Sequence, residues 1–202
     1  DSEEVEALEL GAVNVIIPTT GKTATSYGVK EFELFDLPFL FNDTNSVLKF
    51  MKSDSSTKLL DLLNKKNKTV YAVTYWPNDF RNYIGGQFYK KPDDFKGKVA
   101  YTHSLGTMKL FFDTLGTEKT IQLPFSDLPK AMKKELGFAV DVSANPNSNT
   151  LQSKLYENTK KLTLSAHDFN AYVFLTNRKW FNNLPADVQN GFVEAAQKSG
   201  LY

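Results

Sequence analysis

The sequence predicts a mixed α/β fold, and three patterns in it support this class. A short strand at residues 98–102, a helix at residues 104–116 and a second strand ending at Pro124-Phe125 have the spacing of a βαβ unit. Residues 69–76 alternate apolar and polar side chains, as a half-buried strand does, and residues 185–199 show an amphipathic helical pattern. Parallel strands in such a fold have their carboxyl ends, and any ligand, at one edge of the sheet.

The other elements are predicted from local signals. Before the βαβ unit, the first predicted elements are a helix at residues 2–10, ended by Gly11, and an apolar strand at 12–18 of the kind buried in a parallel sheet. A polar loop at 19–28 and a buried turn at 32–41 follow. Next come helices at 45–51 (capped by Thr44) and 55–64, and then the 69–76 strand, which is stopped by Pro77. After the unit they are a helix at 127–136, a strand at 138–142, a loop at 145–148, a helix at 149–158 and a long extended run at 160–176.

Composition narrows the function classes. The chain has 202 residues, a formal net charge of +1, 13% aromatic residues and no cysteine. A nearly neutral chain gives no reason to expect a nucleic acid partner or an anionic membrane surface, and the lack of cysteine excludes disulfides and Cys-ligated metals. We expect no membrane insertion, because no apolar run has the length of a membrane span. We also expect no cofactor, because the sequence lacks a phosphate-binding loop, a dinucleotide fingerprint and metal-ligand spacing.

Several short motifs occur together in a characteristic order. They are Phe35-Asp36-Leu37-Pro38-Phe39-Leu40-Phe41, Pro92-Asp93-Asp94-Phe95-Lys96-Gly97, Leu115-Gly116, Leu123-Pro124-Phe125-Ser126-Asp127-Leu128, Val140-Asp141, Asn145-Pro146, Lys154-Leu155-Tyr156-Glu157 and Trp180-Phe181-Asn182-Asn183-Leu184-Pro185. In this order and spacing they resemble the DctP-type solute-binding proteins of tripartite ATP-independent periplasmic (TRAP) transporters. The resemblance covers essentially the whole chain.

The resemblance implies a two-lobed fold of the class II periplasmic-binding-protein type, with the ligand in a cleft and strands crossing between the lobes as hinges. Lobe I would hold residues 1–78 and 171–202, and lobe II would hold residues 79–170. Family members usually extend beyond both ends of this sequence, so the fold is expected to be truncated at both ends relative to the family. The sequence shows no signal-peptide pattern, as expected of a mature secreted form or of a chain lacking its leader.

The resemblance also implies a ligand site. Arg81 matches a family arginine that faces the ligand, and its planar guanidinium suits a carboxylate. Phe125 matches an aromatic residue that packs on the ligand, and Asn145, held extended by Pro146, matches an asparagine that hydrogen-bonds to it. Each residue also has an ordinary interpretation, as a solvated arginine, a core phenylalanine and a turn asparagine.

Tyr101 departs from the family pattern. It stands where the family carries the arginine that clamps a substrate carboxylate, and a tyrosine offers a hydroxyl and a ring but no charge. Either the solute is not a simple carboxylate, or another cation replaces the clamp. His103 lies on the same strand face and is the candidate for that cation, although both residues also suit an ordinary strand.

Thr19 and Trp76 complete the predicted site. Thr19 follows the 12–18 strand, where the family often carries a polar ligand contact, and Trp76 ends the 69–76 strand, where its ring would wall the cleft. The alternatives are that Thr19 caps a loop and that Trp76 is buried in the core.

The function implied by the resemblance is solute capture without a chemical reaction, so we do not expect an enzyme. The protein would bind a small organic solute, an organic acid or an aromatic-bearing polar compound, in the periplasm. Hinge closure would trap the solute, and the protein would deliver it to the membrane permease of a TRAP transporter. The alternative is a ligand-sensing or interaction domain that uses the same scaffold without transport.

A hydrolase is a third class, and the sequence offers no evident nucleophile–base pair for it. The two histidines are His103 and His167. His167 and Asp168 are adjacent, so on a strand their side chains would point to opposite faces and could not pair. This class would require one of the histidines to lie within hydrogen-bond reach of a serine beside the cleft.

Overall fold

A computed structural model of the chain describes residues 2–200. In chain order its helices and strands are α1 (Ser2–Leu10), β1 (Val15–Ile16), α2 (Thr20–Tyr27), α3 (Thr44–Met51), α4 (Asp54–Lys66), β2 (Val70–Phe80), β3 (Asn82–Gly85), β4 (Val99–Thr102), α5 (Thr107–Thr114), β5 (Lys119–Gln122), α6 (Leu128–Met132), β6 (Val142–Asn145), α7 (Asn147–Gln152), β7 (Lys161–Thr163), β8 (Phe169–Asn177), α8 (Arg178–Asn182) and α9 (Ala186–Ser199). Short 3-10 helices lie at Lys30–Asp36, Pro92–Phe95, Phe125–Asp127 and Leu155–Glu157. The α/β class predicted from the sequence is confirmed.

The chain divides into two compact units. The first comprises Asp1–Glu33, Phe41–Asn78 and Ala171–Tyr202, and the second comprises Leu34–Leu40 and Asp79–Asn170. The boundaries near residues 78 and 171 fall inside β2 and β8, so each of these strands passes from one unit into the other. The division differs from the lobes expected from the sequence in one segment, Leu34–Leu40, which packs with the second unit.

The first unit contains a sheet with the strand order β1-β8-β2. Its core includes Val73 and Phe174 from the sheet and Ala196 from α9, all buried. The expectation that the 12–18 strand lies in a parallel sheet is wrong, because Val15–Ile16 pairs antiparallel with β8. The strand is also shorter than expected, although the carbonyls of Asn14 and Pro18 accept from the amides of Asn177 and Val173 in β8. A continuous apolar run does not by itself distinguish a parallel strand from a short antiparallel one.

The predicted polar loop at residues 19–28 is instead the helix α2. The side chain of Thr19 caps its first turn by accepting a hydrogen bond from the Lys22 amide at 3.2 Å. Gly28 ends the helix with φ +65°, and its amide bonds to the Ala24 carbonyl. The cap and the terminal glycine were both visible in the sequence, but the absence of an apolar stripe between them favoured a loop.

The expected stop at Pro77 is also wrong, because β2 continues through it to Phe80. β2 lies at one end of the strand order β1-β8-β2. A proline lacks an amide proton, which is tolerated on an edge strand but not in the middle of a sheet. The strand therefore runs into the second unit instead of ending at the proline.

Several boundaries also moved. The cap of α3 is Asp43 rather than Thr44, with the Ser46 amide donating to Asp43 Oδ1 at 2.7 Å. The strand expected at 138–142 is β6, shifted to Val142–Asn145, and the 160–176 run is interrupted between β7 and β8. The helices expected at 127–136 and 149–158 are shorter, as α6 and α7, and α8 was not foreseen.

The second unit is built on a sheet with the order β5-β4-β6-β3-β7. β4 is parallel to both β5 and β6, whereas β3 is antiparallel to β6 and β7. The predicted βαβ unit is therefore confirmed as β4-α5-β5. Both faces of this sheet are buried: Tyr83 and Ala100 pack on one face, and their neighbours Ile84 and Tyr101 pack on the other.

The outer strand β7 borders a groove of about 370 Å³ in the second unit. Its walls include Ile84, Leu151, Tyr156 and Leu162, of which Leu151 is 64% exposed. The groove is therefore an apolar surface open to solvent, next to a strand that has a single partner among residues 2–200.

Among residues 2–200, none of the helices combines the length and the apolar character needed to cross a bilayer.

Candidate functional site

The candidate site lies at one edge of the second unit's sheet. The parallel strands β4, β5 and β6 have their carboxyl ends at this edge, and the antiparallel strand β3 begins there. His103 directly follows β4, Phe125 comes three residues after β5, Asn145 is the last residue of β6, and Arg81 directly precedes β3. The sheet thus brings together four of the predicted site residues, and Tyr101 lies on β4 two residues before His103.

Arg81 is buried at this edge and is surrounded by polar partners. It is 3% exposed, and its Nη1 lies 3.2 Å from Asp36 Oδ1 and 3.4 Å from Asp168 Oδ1. Its Nη2 lies 3.3 Å from His103 Nε2 and donates to the side-chain oxygen of Asn170. Both terminal nitrogens of the guanidinium therefore have partners inside the unit. A solute-facing role for Arg81 stays a prediction.

Burial and charge set the protonation of the two acids. Burial raises the pKa of Asp168 to about 7. The positive charge of Arg81 acts to lower this pKa, and the negative charge of Asp36 acts to raise it further. Burial also acts to raise the pKa of Asp36, but charge attraction and hydrogen bonds from His103 and Arg81 outweigh it and lower the pKa. The two carboxylates beside Arg81 thus differ, with Asp36 ionised and Asp168 partly protonated near neutral pH.

His103 accompanies this cluster as a neutral side chain. Burial, followed by the charge of Arg81, lowers its pKa, although Asp36 acts in the opposite direction. Its Nε2 lies 3.3 Å from Arg81 Nη2 and 3.4 Å from Asp36 Oδ1. Arg81 only donates and an ionised Asp36 only accepts, so Nε2 accepts from Arg81 when it carries no proton and donates to Asp36 when it carries one. Arg81 is the permanent cation beside Asp36, because the neutral form of His103 carries no charge.

Tyr101 and Phe125 meet on one face of the sheet. Their ring centroids are 6.5 Å apart, and Tyr101 is 3% exposed among Ile84, Leu128 and other apolar side chains. Burial raises the pKa of the Tyr101 phenol, so it stays protonated and offers a neutral hydroxyl. Phe125 is only partly buried, at the start of its 3-10 helix. Both residues help to form the core, and their contact with a solute stays a prediction.

Asn145 is held in place by the strand that carries it. It is 5% exposed, its amide nitrogen bonds to Ser143 Oγ, and its backbone is opposite Asn82 in the β3–β6 pairing. Ser143 is in turn opposite Tyr101 in the parallel β4–β6 pairing. Partners in register share a sheet face, so Asn145, Ser143 and Tyr101 lie on the same side.

Thr19 and Trp76 belong to the first unit. The Thr19 side chain caps α2, and the indole nitrogen of Trp76 donates to the Ala196 carbonyl at 2.7 Å. Trp76 also packs against Phe174, with ring centroids 5.2 Å apart. Both side chains thus have structural partners in their own unit, and their solute contacts stay predictions.

His167 corrects the expectation that it could not approach Asp168. The pair lies outside a strand, and His167 Nε2 is 3.7 Å from Asp168 Oδ2, while His167 Nδ1 is 2.8 Å from Ser165 Oγ. The ring is fully buried and stacks on Tyr83 with centroids 4.2 Å apart. Burial lowers the pKa of His167 to about 3, which makes it a weak base at neutral pH. The Ser165–His167 contact is therefore short enough for a nucleophile–base pair, but the buried ring lacks the basicity that a hydrolase requires.

Sequence reasoning missed the acidic members of the cluster. Asp36 lies inside an otherwise apolar run, Phe35-Asp36-Leu37, and a charge in such a run signals a buried partner. Asp168 and Asn170 gave no comparable signal, because their role depends on the chain returning to Arg81. As for metals, the described residues contain no group of three or more His, Cys, Asp or Glu side chains placed to hold an ion.

Fold and site together define a mixed α/β protein whose polar residues collect at the carboxyl ends of parallel strands, where this class binds its ligands. The family model of DctP, described as bacterial extracellular solute-binding protein, family 7, matches residues 1–202. The chain belongs to this family, as the motifs in its sequence had indicated.

Individual relatives agree with the family. The chain is 32% identical to the C4-dicarboxylate-binding periplasmic protein DctP of Rhodobacter capsulatus, over 100% of this chain and 59% of the relative. A TRAP periplasmic solute-binding protein from Pseudomonas aeruginosa PAO1, solved with bound L-malate, is similar with a TM-score of 0.90 and 26% identity, over 99% of this chain and 67% of that one. The sugar acid binding protein of Advenella mimigardefordensis, solved with galactonate, has a TM-score of 0.89 and 31% identity, over 100% of this chain and 63% of that one. The chain therefore spans less than two thirds of the length of the curated relative.

Proposed function

We propose that the protein binds a small organic acid outside the cytoplasm, in the periplasm, and delivers it to the membrane permease of a TRAP-type transporter. The observation that carries this proposal is the family match over residues 1–202. The bound molecules of the similar structures support the solute class, since L-malate and galactonate are both organic acids. The solute leaves unchanged, after a hinge motion in which β2 and β8 bend.

The proposed contacts in the second unit are Tyr101, Phe125 and Asn145, with Arg81 and His103 beside them. Thr19 and Trp76 of the first unit complete the proposed set. This edge offers a phenol, an amide and an aromatic face, whereas the cation Arg81 is already shared by Asp36 and Asp168. Hydrogen-bonding groups without a free cation favour a hydroxyl-rich monocarboxylate over a dicarboxylate.

Calorimetric titration of the full-length protein tests this proposal. Sugar acids such as galactonate are the probes for the hydroxyl-rich class, and succinate and L-malate are the probes for dicarboxylates. We expect saturable one-to-one binding, with the sugar acid bound at least about tenfold more tightly, which corresponds to about 1.4 kcal/mol. Tighter binding of succinate would overturn the preference, and a flat titration against a broad panel of organic acids would overturn solute binding itself.

A further inference from the structure

Leu34–Leu40, called here the 34–40 segment, has an unusual place in the chain. It packs with the second unit, although the residues before and after it belong to the first. Asp36 is the one charged residue of the segment. Phe35 and Asp36 are fully buried, whereas Phe39 is 66% exposed. The segment therefore docks by inserting one ring and one carboxylate, whereas Leu37, Phe39 and Leu40 are exposed.

Polar contacts hold the segment in place, and one of them is the approach of His103 Nε2 to Asp36 Oδ1 at 3.4 Å. Asp36 Oδ1 accepts from Arg81 Nη1 at 3.2 Å, and the Phe39 amide donates to the His167 carbonyl at 2.6 Å. Phe39 has φ +60°, a left-handed conformation that costs a residue with a side chain about 1–2 kcal/mol. The segment is thus docked against a local backbone preference, and it would relax if the contacts were lost.

Asp36 shares its contact with Arg81 with a second carboxyl group, that of Asp168. Nη1 of Arg81 lies 3.2 Å from Asp36 and 3.4 Å from Asp168, so one guanidinium nitrogen serves two buried carboxyl groups. The second oxygen of Asp36, Oδ2, is buried and has no hydrogen-bond partner within residues 2–200. One positive charge cannot fully neutralise two ionised carboxylates, so the charge of Asp168 determines how strongly Arg81 holds Asp36.

We propose that the 34–40 segment is a proton-controlled latch, which Arg81 holds through Asp36 while Asp168 is protonated and releases more readily once Asp168 is ionised. Arg81 is then a positioning residue for this segment. The proposal concerns the second unit and does not depend on a solute.

The surroundings of Asp168 give the sign of the effect. The titratable groups that face it are Arg81, Asp36, His167 at 3.7 Å and the phenol of Tyr83. Burial, followed by the charge of Asp168, raises the pKa of that phenol. Opening would move Asp36 into water and leave Arg81 to Asp168 alone, which would lower the pKa of Asp168. The open state would therefore bind fewer protons, and rising pH would favour opening.

Amide hydrogen exchange of the full-length protein, measured from pH 6 to pH 8.5, tests the latch. Protection is corrected for intrinsic exchange and followed at the amides of Leu37, Phe39 and Leu40, with Tyr101 in β4 as the internal reference. In the wild-type protein we expect protection of the segment to fall by about tenfold or more between these pH values, as for one pKa unit of differential proton binding. The Asp168→Asn variant should lose this dependence.

Two further variants sharpen the test. Asp36→Asn removes the carboxylate that Arg81 holds and should leave the segment weakly protected at every pH. Asp93→Asn is the matched control, because Asp93 forms an exposed ion pair with Lys96 in the same unit, and it should behave as the wild type does. The latch is overturned if Asp168→Asn keeps the wild-type pH response. It is equally overturned if the amides of the segment in the wild-type protein exchange with the same opening free energy and the same denaturant dependence as the amide of Tyr101, because the segment would then open only together with the sheet.

Discussion

At the scale of single residues, Arg81 decides how the second unit manages its buried charge. Its guanidinium lies between Asp36 and Asp168, and both acids are fully buried. Removing one partner of a buried ion pair commonly costs about 3–5 kcal/mol, because the other charge is left without compensation. The cluster therefore constrains this edge of the sheet whether or not a solute contacts it.

Asp168 makes the stability of the protein depend on pH. Its folded-state pKa is raised from 3.8 to about 7, because burial disfavours the charged form. A folded state that keeps this proton is most favoured at low pH and loses that advantage as the pH rises from about 4 to about 7. We expect Asp168→Asn to remove this loss, which is on the order of a few kcal/mol at about 1.4 kcal/mol per pKa unit.

Urea unfolding at pH 4.5, 6 and 7.5 measures this effect. Asp36 has a lowered pKa, so its contribution is lost only below about pH 4. The buried histidines His103 and His167 have lowered pKa values and add stability as the pH rises towards about 6.5, so the effect of Asp168 is measured as the difference between the wild type and Asp168→Asn at each pH. We expect this difference in unfolding free energy to grow in favour of Asp168→Asn from pH 4.5 to pH 7.5, and a difference that stays constant with pH would show that Asp168 is not the group responsible.

Tyr101 allows core packing to be separated from solute contact. Its ring lies in the apolar cluster with Leu128 and Ile84, so Tyr101→Phe should leave the free energy of unfolding nearly unchanged. If the hydroxyl contacts the solute, the same change should weaken binding by roughly 2- to 12-fold, the effect of one hydrogen bond of about 0.5–1.5 kcal/mol. Calorimetric titration checks the affinity, and Tyr101→Ala, expected to cost about 3–5 kcal/mol, is the packing control. Unchanged affinity in Tyr101→Phe would assign the tyrosine to the core alone.

At the scale of elements, β3 shows how closely the second unit is packed. A Cβ at Gly85 would overlap the Asp141 carbonyl oxygen and the ring of Tyr89, whereas a Cβ at the neighbouring Gly86 would meet nothing within 4 Å. β3 therefore needs glycine at the first position for a reason that sequence alone does not reveal.

We expect Gly85→Ala to destabilise the protein by about 1–3 kcal/mol, because the strand must shift to admit the methyl group. Gly86→Ala is the matched control, and it should be neutral or slightly stabilising because it reduces the freedom of the unfolded chain. Urea unfolding of the two variants gives the comparison, and equal stability would mean that the backbone at Gly85 adjusts without cost.

The sequence predicted well those elements that have strong local signals. The β4-α5-β5 unit was found because turn residues and β-branched runs mark its ends, and α9 because of its apolar stripe and its flanking Pro185 and Gly200. The helix α2 was missed because it lacks such a stripe, and β2 was cut short because the effect of Pro77 depends on which strand is its neighbour. The local sequence pattern thus identifies a helix or strand, whereas its neighbours in the fold determine at which residue it ends.

The candidate site likewise contains residues that the sequence predicted and residues that it did not. The positions of Tyr101, Phe125 and Asn145 near the ends of parallel strands followed from the pattern and the family resemblance together. The partners of Arg81 did not, since Asp36 and Asp168 are 45 and 87 residues away from it in sequence. Long-range pairing of this kind can be inferred only once the chain path is known.

At the scale of the whole molecule, the two units have separate cores and should not unfold as one. Both tryptophans, Trp76 and Trp180, belong to the first unit, so tryptophan fluorescence reports on that unit while far-ultraviolet circular dichroism reports on both. We expect the two probes to give different urea midpoints, because chains with more than one domain often depart from two-state behaviour. Asp36→Asn should shift the circular dichroism curve more than the fluorescence curve, and coincident transitions in all cases would contradict this.

The groove beside β7 has a practical consequence for anyone who handles these 202 residues in isolation. An exposed apolar surface beside a strand that has one pairing partner among residues 2–200 favours self-association of the chain. Poor yield or turbidity of such a preparation would then reflect surface adhesion and not a failure to fold. Placing a lysine at Leu151, which is already 64% exposed, would be the first remedy to try.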